Sequence, residues 1–343
     1  MELVRAHLIG IWLASLACQT TAAYSAAPPS ATVLQAETPL ATIDRILLMA
    51  DQGRDIAAIK VAVDKFIDPR INEASVLRQI NEMAERIRTK IPHGADAMER
   101  TALILKYLSE DSEWNQHQTF SYDLDDPFGT KLENKLLSTY LRTRRGNCVS
   151  MPILLLALGQ KLGLEMTLAT APSHVFVKVR HNGTWKNVEA TSFGVMTDES
   201  YRTKTHISDL AIANQIYLRP LSRRESSVVV AEAILEKLKT TGSQQTRLDV
   251  ADKLLSYDPK SVQTMLHKGN AYFHMLKNEF LDHGPSSTPL STQSMLRYRH
   301  LQRENRRWFS RAESLGWREP RTDDDQRYLE DIRRKRGSLE ENG

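Results

Sequence analysis

The sequence predicts an α+β protein, in which a buried helix packs on an antiparallel sheet and α-helical regions flank both sides. Three observations predict it. Apolar residues recur at three- and four-residue spacing from Thr38 to about Tyr107, and again from about Ile207 onward. Between those regions EMTLAT, HVFVKVR and TWKNVEAT carry the Val, Thr, Phe and Trp content of strands. MPILLLALGQKLG, residues 151–163, is apolar on nearly every side, as a helix enclosed by a core must be.

The chain has 343 residues, enough for two or three domains. Its net charge of +4 is small for that length and gives no concentrated basic face, so nucleic acid is not an expected partner. The locally basic RENRRWFSR near the C-terminus reads as a solvated helix face. Residues 1–23 read as a secretory signal peptide: Arg5 supplies the positive start, Leu8 to Leu16 the apolar stretch, and Ala22 and Ala23 a cleavage site. The expected location is periplasmic or secreted. Leu16-Ala17-Cys18 offers a rival route, lipoprotein processing with Cys18 as the lipidated N-terminus. No other segment is long and apolar enough to span a membrane. With Cys18 removed or lipidated, Cys148 stands alone, without an intramolecular disulfide partner. A single thiol in an exported chain is either a reactive residue or a small buried hydrophobe.

Taken in order, residues 24–37 are Ala-, Pro-, Ser- and Thr-rich and read as a disordered linker. Residues 38–90 form an N-terminal helical region, punctuated by Asp68-Pro69 and closed by Pro92-His93-Gly94. Residues 91–219 hold the core. Within it DAMERTALILKYLSE is helical, and a long polar segment from Glu110 to Lys135 follows, with a turn signal at Asp126-Pro127-Phe128-Gly129. A loop of that length is often a lid or a binding loop. The apolar helix comes next, then the strands, with the hairpin signal Asn182-Gly183 between the last two. Residues 220–343 read as helical. A Tyr-Asp-Pro break followed by a helix carrying Gly269-Asn270-Ala271-Tyr272 gives one or two tetratricopeptide-like units, fewer than a free-standing solenoid needs.

The candidate chemistry begins at Cys148. Proline is tolerated only in the first turn of a helix, so Pro152 restrains the start to about Val149 and leaves Cys148 at or beside the helix N-terminus. Free N–H groups and partial positive charge at that end favour a thiolate and can hold an oxyanion. A nucleophilic cysteine needs an imidazole, and the imidazole needs an orienting group. His174 opens a strand soon after the helix. If Asn182 and Gly183 are the two hairpin residues, His181 pairs with Thr184 and Phe176 faces Glu189. Glu189 is then diagonal to His174 on one face, about 7–8 Å away at the backbone and in reach of a long side chain. Asn187, two residues further along that face, is a weaker candidate.

These residues resemble the transglutaminase-like superfamily, relatives of papain-like cysteine enzymes. The resemblance rests on GNCVSMPILLLALGQKLGL, APSHVFVKV and TWKNVEATS, and it covers roughly Ile91 to Arg219. Helical flanks and a tetratricopeptide-like tail are similar to those of a bacterial branch. The resemblance implies a papain/transglutaminase-like core, with Cys148 as nucleophile, His174 as base and Glu189 as orienting acid. Glu stands where the family usually has Asp, and Val-Phe follows the histidine where many members have Trp two places on. Trp114, Gln116 and Gln118 are the candidates for a side-chain oxyanion donor.

The expected function is an exported thiol-dependent acyl-transfer enzyme, a cysteine peptidase or amidase whose substrate is a peptide or protein. The alternative is an inactive scaffold that binds a protein partner through the C-terminal helices. No cofactor is expected, because Gly146 and Gly159 do not form a phosphate loop. No metal is expected either, because Cys148 has no second thiol beside it and the histidines are scattered.

Overall fold

The computed structural model describes residues 37–126, 129–282, 290–319 and 330. The expected signal peptide and nearly all of the expected linker lie outside the described residues. Four helices open the described chain: α1 (Pro39–Asp51), α2 (Ile56–Ile67), α3 (Glu73–Arg88) and α4 (Ala97–Ser109). Each starts at a side chain that satisfies otherwise unpaired N–H groups, namely Thr38, Asp55, Asn72 and Asp96. At α4 the cap is reciprocal, with Glu99 reaching back to the Asp96 N–H. The 3.6-residue periodicity of these segments is why their apolar stripes meet in one core.

The long polar segment is organised by local hydrogen bonds. Asn115 donates to the carbonyls of Tyr107 and Glu110. Asp126 accepts from the Thr130 N–H and hydroxyl, the Lys131 N–H and the Asn134 amide. A two-residue strand, β1 (Ser121–Tyr122), runs parallel to β2 (Arg145–Gly146), with helix α5 (Leu137–Thr143) between them. Pairs this short carry no periodic signal, so sequence reasoning missed them.

Helix α6 (Ser150–Lys161) is buried from Ser150 through Gly159. The sheet follows as β3 (Met166–Ala171), β4 (His174–His181), β5 (Thr184–Glu189) and β6 (Gly194–Met196), antiparallel and in that spatial order. The Asn182-Gly183 loop has two residues, and His181 pairs with Thr184 as its length requires. Residues with φ of 46° and 75° make this turn, where Asn and Gly are the least strained choices. Leu168, Val177, Val179 and Val188 face the core that contains α6. Ala169, Ala171 and Phe176 face a second core, formed with Tyr201, Ile207 and Ala211. Those residues come from α7 (Asp198–Lys204), α8 (Asp209–Ala213) and the connection between them.

Four longer helices follow among the described residues: α9 (Arg223–Thr241), α10 (Gln244–Tyr257), α11 (Val262–Leu276) and α12 (Thr292–Ser314). Helices α9 and α10 extend the first core, while Met265 of α11 and Trp308 and Phe309 of α12 extend the second. Gly269 lets α12 close on α11, since a Cβ there would lie 2.8 Å from the Phe309 ring. The architecture is α+β, a small antiparallel sheet and its buried helix within helical flanks. Among the described residues no helix is long and apolar enough to cross a membrane.

Candidate functional site

The turn before α6 is built around Asn147, which is almost fully buried. Its side-chain oxygen accepts from the N–H groups of Val149 and Ser150, and its amide donates to the Asn134 carbonyl. The Asn147 N–H donates in turn to the Ser150 hydroxyl. The capping role of Asn147 is legible in retrospect: an Asn three residues before Ser150 at the head of an apolar run is a helix-start signal. Gly146 is required by close approach, since a Cβ there would sit 2.5 Å from the Tyr140 ring. Pro152 is the third residue of α6, where its missing N–H costs no helical bond.

Cys148 therefore sits two residues before the first residue of α6, half-buried and with a free thiol. Its Sγ–H points at the Ser173 carbonyl, 3.8 Å away. Its backbone N–H has no acceptor among the described residues. Ser173 occupies the turn between β3 and β4 with φ of 55°, in the left-handed region that side-chain-bearing residues rarely adopt. That turn has two residues, Pro172 and Ser173, because Ala171 pairs directly with His174. It brings the head of β4 to the head of α6.

His174 Nε2 lies 2.7 Å from Glu189 Oε2. The diagonal placement expected from the hairpin count is present, and the side chains span it. Glu189 is buried and accepts three further bonds: from the Thr191 N–H and hydroxyl on Oε1, and from the Tyr201 hydroxyl on Oε2. Burial alone would raise this carboxyl. The His174 hydrogen bond and charge, with Thr191 and Tyr201, outweigh it and hold the group at about 2. Burial likewise disfavours the His174 imidazolium, but interaction with Cys148 and with Glu189 pushes it up to about 10. The imidazole thus carries its proton at neutral pH, between a thiol and a carboxylate.

The structure brings Cys148, His174 and Glu189 together. It does not bring in the other candidates. Asn187 is engaged by Lys178 and Asp198. Trp114 packs edge-on against Tyr107, Gln118 accepts from Arg144, and Gln116 is exposed. Thr191 and Tyr201 were missed because no motif marks the hydroxyls, or the Thr191 N–H, that they donate. Among the described residues no group of three or more His, Cys, Asp and Glu side chains is placed to hold a metal ion.

Helix-start cysteine, strand histidine and next-strand glutamate on one small sheet define a thiol–imidazole–carboxylate site on an α+β fold. Residues 74–229, from α3 into α9, match the family model described as Transglutaminase-like superfamily, and all three site residues fall within that match. The match suggests cysteine-based acyl-transfer chemistry. No significant match was found among curated proteins or among solved structures.

Proposed function

We propose that this protein is a thiol acyl-transfer enzyme, a cysteine peptidase or amidase acting on peptide amides. One observation carries the proposal: the His174 imidazole is bonded to a buried, fully occupied carboxylate and lies against a cysteine at a helix start. With Nε2–H held on Glu189, Nδ1 is the nitrogen turned to Cys148, and in the imidazolium it carries the second proton, taken from the thiol. An imidazolium beside the thiol supports the thiolate. In attack, Sγ turns from the Ser173 carbonyl to a substrate carbonyl carbon. The Cys148 N–H, which has no acceptor among the described residues, is the donor for the oxyanion that forms, since the next N–H groups are taken by Asn147. Collapse breaks the C–N bond as His174 gives its proton to the leaving amine, and a thioester remains. Water then adds with His174 as base, releasing the acid and restoring the thiol. Hydrolysis is favoured over cross-linking, since no motif in the sequence marks a second site for an amine.

We read the setting as periplasmic or secreted, on the charged and apolar pattern of residues 1–23. A C-terminal tetratricopeptide-like region, of a bacterial branch with helical flanks, is part of the same reading and is supported by the helix pairs α9–α10 and α11–α12.

The test is the alkylation rate of Cys148 by iodoacetamide, followed from about pH 5 to pH 9 in wild type and His174→Ala. The expected result is fast reaction on the acid side that falls about ten-fold or more in the variant. Equal rates would refute the reading and leave the inactive scaffold, whose partner binding would survive Cys148→Ala.

A further inference from the structure

We propose that Tyr201 is a positioning residue, holding the Glu189 carboxylate in the orientation from which it fixes His174. The inference rests on the functional reading above. Tyr201 lies in α7, outside the strands that supply the histidine and the glutamate. Its side chain is 2% exposed, and its hydroxyl donates to Glu189 Oε2 at 2.7 Å. That is the same oxygen that receives His174 Nε2.

A carboxylate has about four acceptor positions on its two oxygens. Here four donors fill them, two on each oxygen. The Thr191 pair grips Oε1 from the chain immediately after β5. Without the phenol, Oε2 keeps only the imidazole, and nothing outside the β4–β5 ladder and the Thr191 turn resists rotation of the carboxylate about its stem. The tyrosine ring is itself fixed, stacked on Phe176 at 4.1 Å between centroids and 5.9 Å from the His174 ring.

The position of α7 is set by a second anchor. Asp198, one turn before Tyr201, accepts from Lys178 Nζ at 3.0 Å and from the Asn187 amide at 2.7 Å. Lys178, Phe176 and His174 follow one another on a single face of β4, with Asn187 and Glu189 beside them on β5. Helix α7 is thus fastened to that face at two points, and the second fastening is the catalytic-side carboxylate. The charged and titratable groups facing His174 are Cys148 from the head of α6, Glu189 from β5 and Tyr201 from α7. Lys178 and Asp198 lie further along the face, paired with each other.

The experiment compares wild type, Tyr201→Phe, Tyr201→Leu and His174→Ala by two readouts. One is the solvent-exchange rate of the downfield imidazole Nε2–H proton of His174 by NMR. The other is Cys148 alkylation at neutral pH. Tyr201→Phe keeps the ring and its stacking and removes only the donor. The expected result is exchange faster by about ten-fold, with alkylation slowed several-fold, as loss of one charge-assisted hydrogen bond implies. Wild-type exchange and alkylation in Tyr201→Phe would overturn the proposal. So would a change seen in Tyr201→Leu alone, which would reduce Tyr201 to packing. His174→Ala separates the two readings: if it alkylates like wild type, the functional proposal fails, while the Nε2–H signal still decides whether Tyr201 orients Glu189.

Discussion

Replacing Glu189 by Gln keeps the shape of the side chain and removes its charge. In wild type the carboxyl is held at about 2 against an ordinary 4.5. Each pH unit of such a difference corresponds to about 1.4 kcal/mol, so the ionised group contributes about 3 kcal/mol to folding at neutral pH. The side chain is 4% exposed, so solvent screening takes little from this figure. Gln would also present an NH₂ group to a site where all four neighbours are donors, which leaves at least one buried donor unpaired. His174 moves further from its ordinary value than Glu189 does, because Cys148 adds to its shift; the glutamate is the cleaner measure of what the carboxylate receives. The sign follows from the lowered pKa. The contribution is complete above about pH 4.5 and vanishes as the pH falls through about 2. Urea denaturation of wild type and Glu189→Gln at pH 7 and in steps down toward pH 3 measures it. The expected gap is about 3 kcal/mol at pH 7, narrowing through the acid steps. A gap below about 1 kcal/mol at pH 7, or one that does not narrow in acid, would refute an ionised, four-fold bonded carboxylate.

Four other outcomes follow from the same geometry. His174 is raised, so its contribution to stability is whole below about pH 6.5 and lost as the pH rises toward about 10; the difference in stability between wild type and His174→Ala should shrink over that interval. Asn147→Ala removes the acceptor for two N–H groups ahead of α6 and should cost about 1–2 kcal/mol in thermal or urea unfolding, with slower alkylation of Cys148. Inserting one glycine between Asn182 and Gly183 shifts β5 by a residue and turns Glu189 off the His174 face, so the effect of His174→Ala on alkylation should largely disappear in the insertion variant. Lys60 and Asp64 form a fully buried pair in α2, and Asp64 also accepts the Leu137 N–H; Lys60→Met should cost about 3–5 kcal/mol, and adding Asp64→Asn should recover part of it.

The α+β class and the positions of the first four helices were legible because periodicity and caps agree in each. Asp96 with Glu99 is a case where the start of α4 can be read to the residue. The placement of Glu189 beside His174 was legible for a different reason: a two-residue Asn-Gly hairpin fixes register, and register fixes faces. What sequence reasoning could not reach depends on contacts between segments distant in the chain. Helix α7 starts at Asp198, before the expected return to helix at about Ile207, because seven residues give too short a stripe to register. The Tyr201 bond, the Pro172-Ser173 turn and the Asn147–Asn134 link are set by packing of one segment on another. The upstream candidates Trp114 and Gln118 illustrate the same limit: the spacing allowed them, and local partners claimed them.

Cys148 and His174 belong to different layers. Cys148 heads the helix enclosed by the first core, while His174, Glu189 and Tyr201 lie on the face of the sheet that turns toward the second. Neither layer alone pairs the thiol with the imidazole. A chain with α6 formed but undocked would carry a cysteine at a helix start with no imidazole beside it, and a sheet without α6 would hold an imidazole with no thiol to meet. The Cys148–His174 pairing therefore exists only once the helix and the sheet have docked. Before that docking the chain carries the thiol and the imidazole apart.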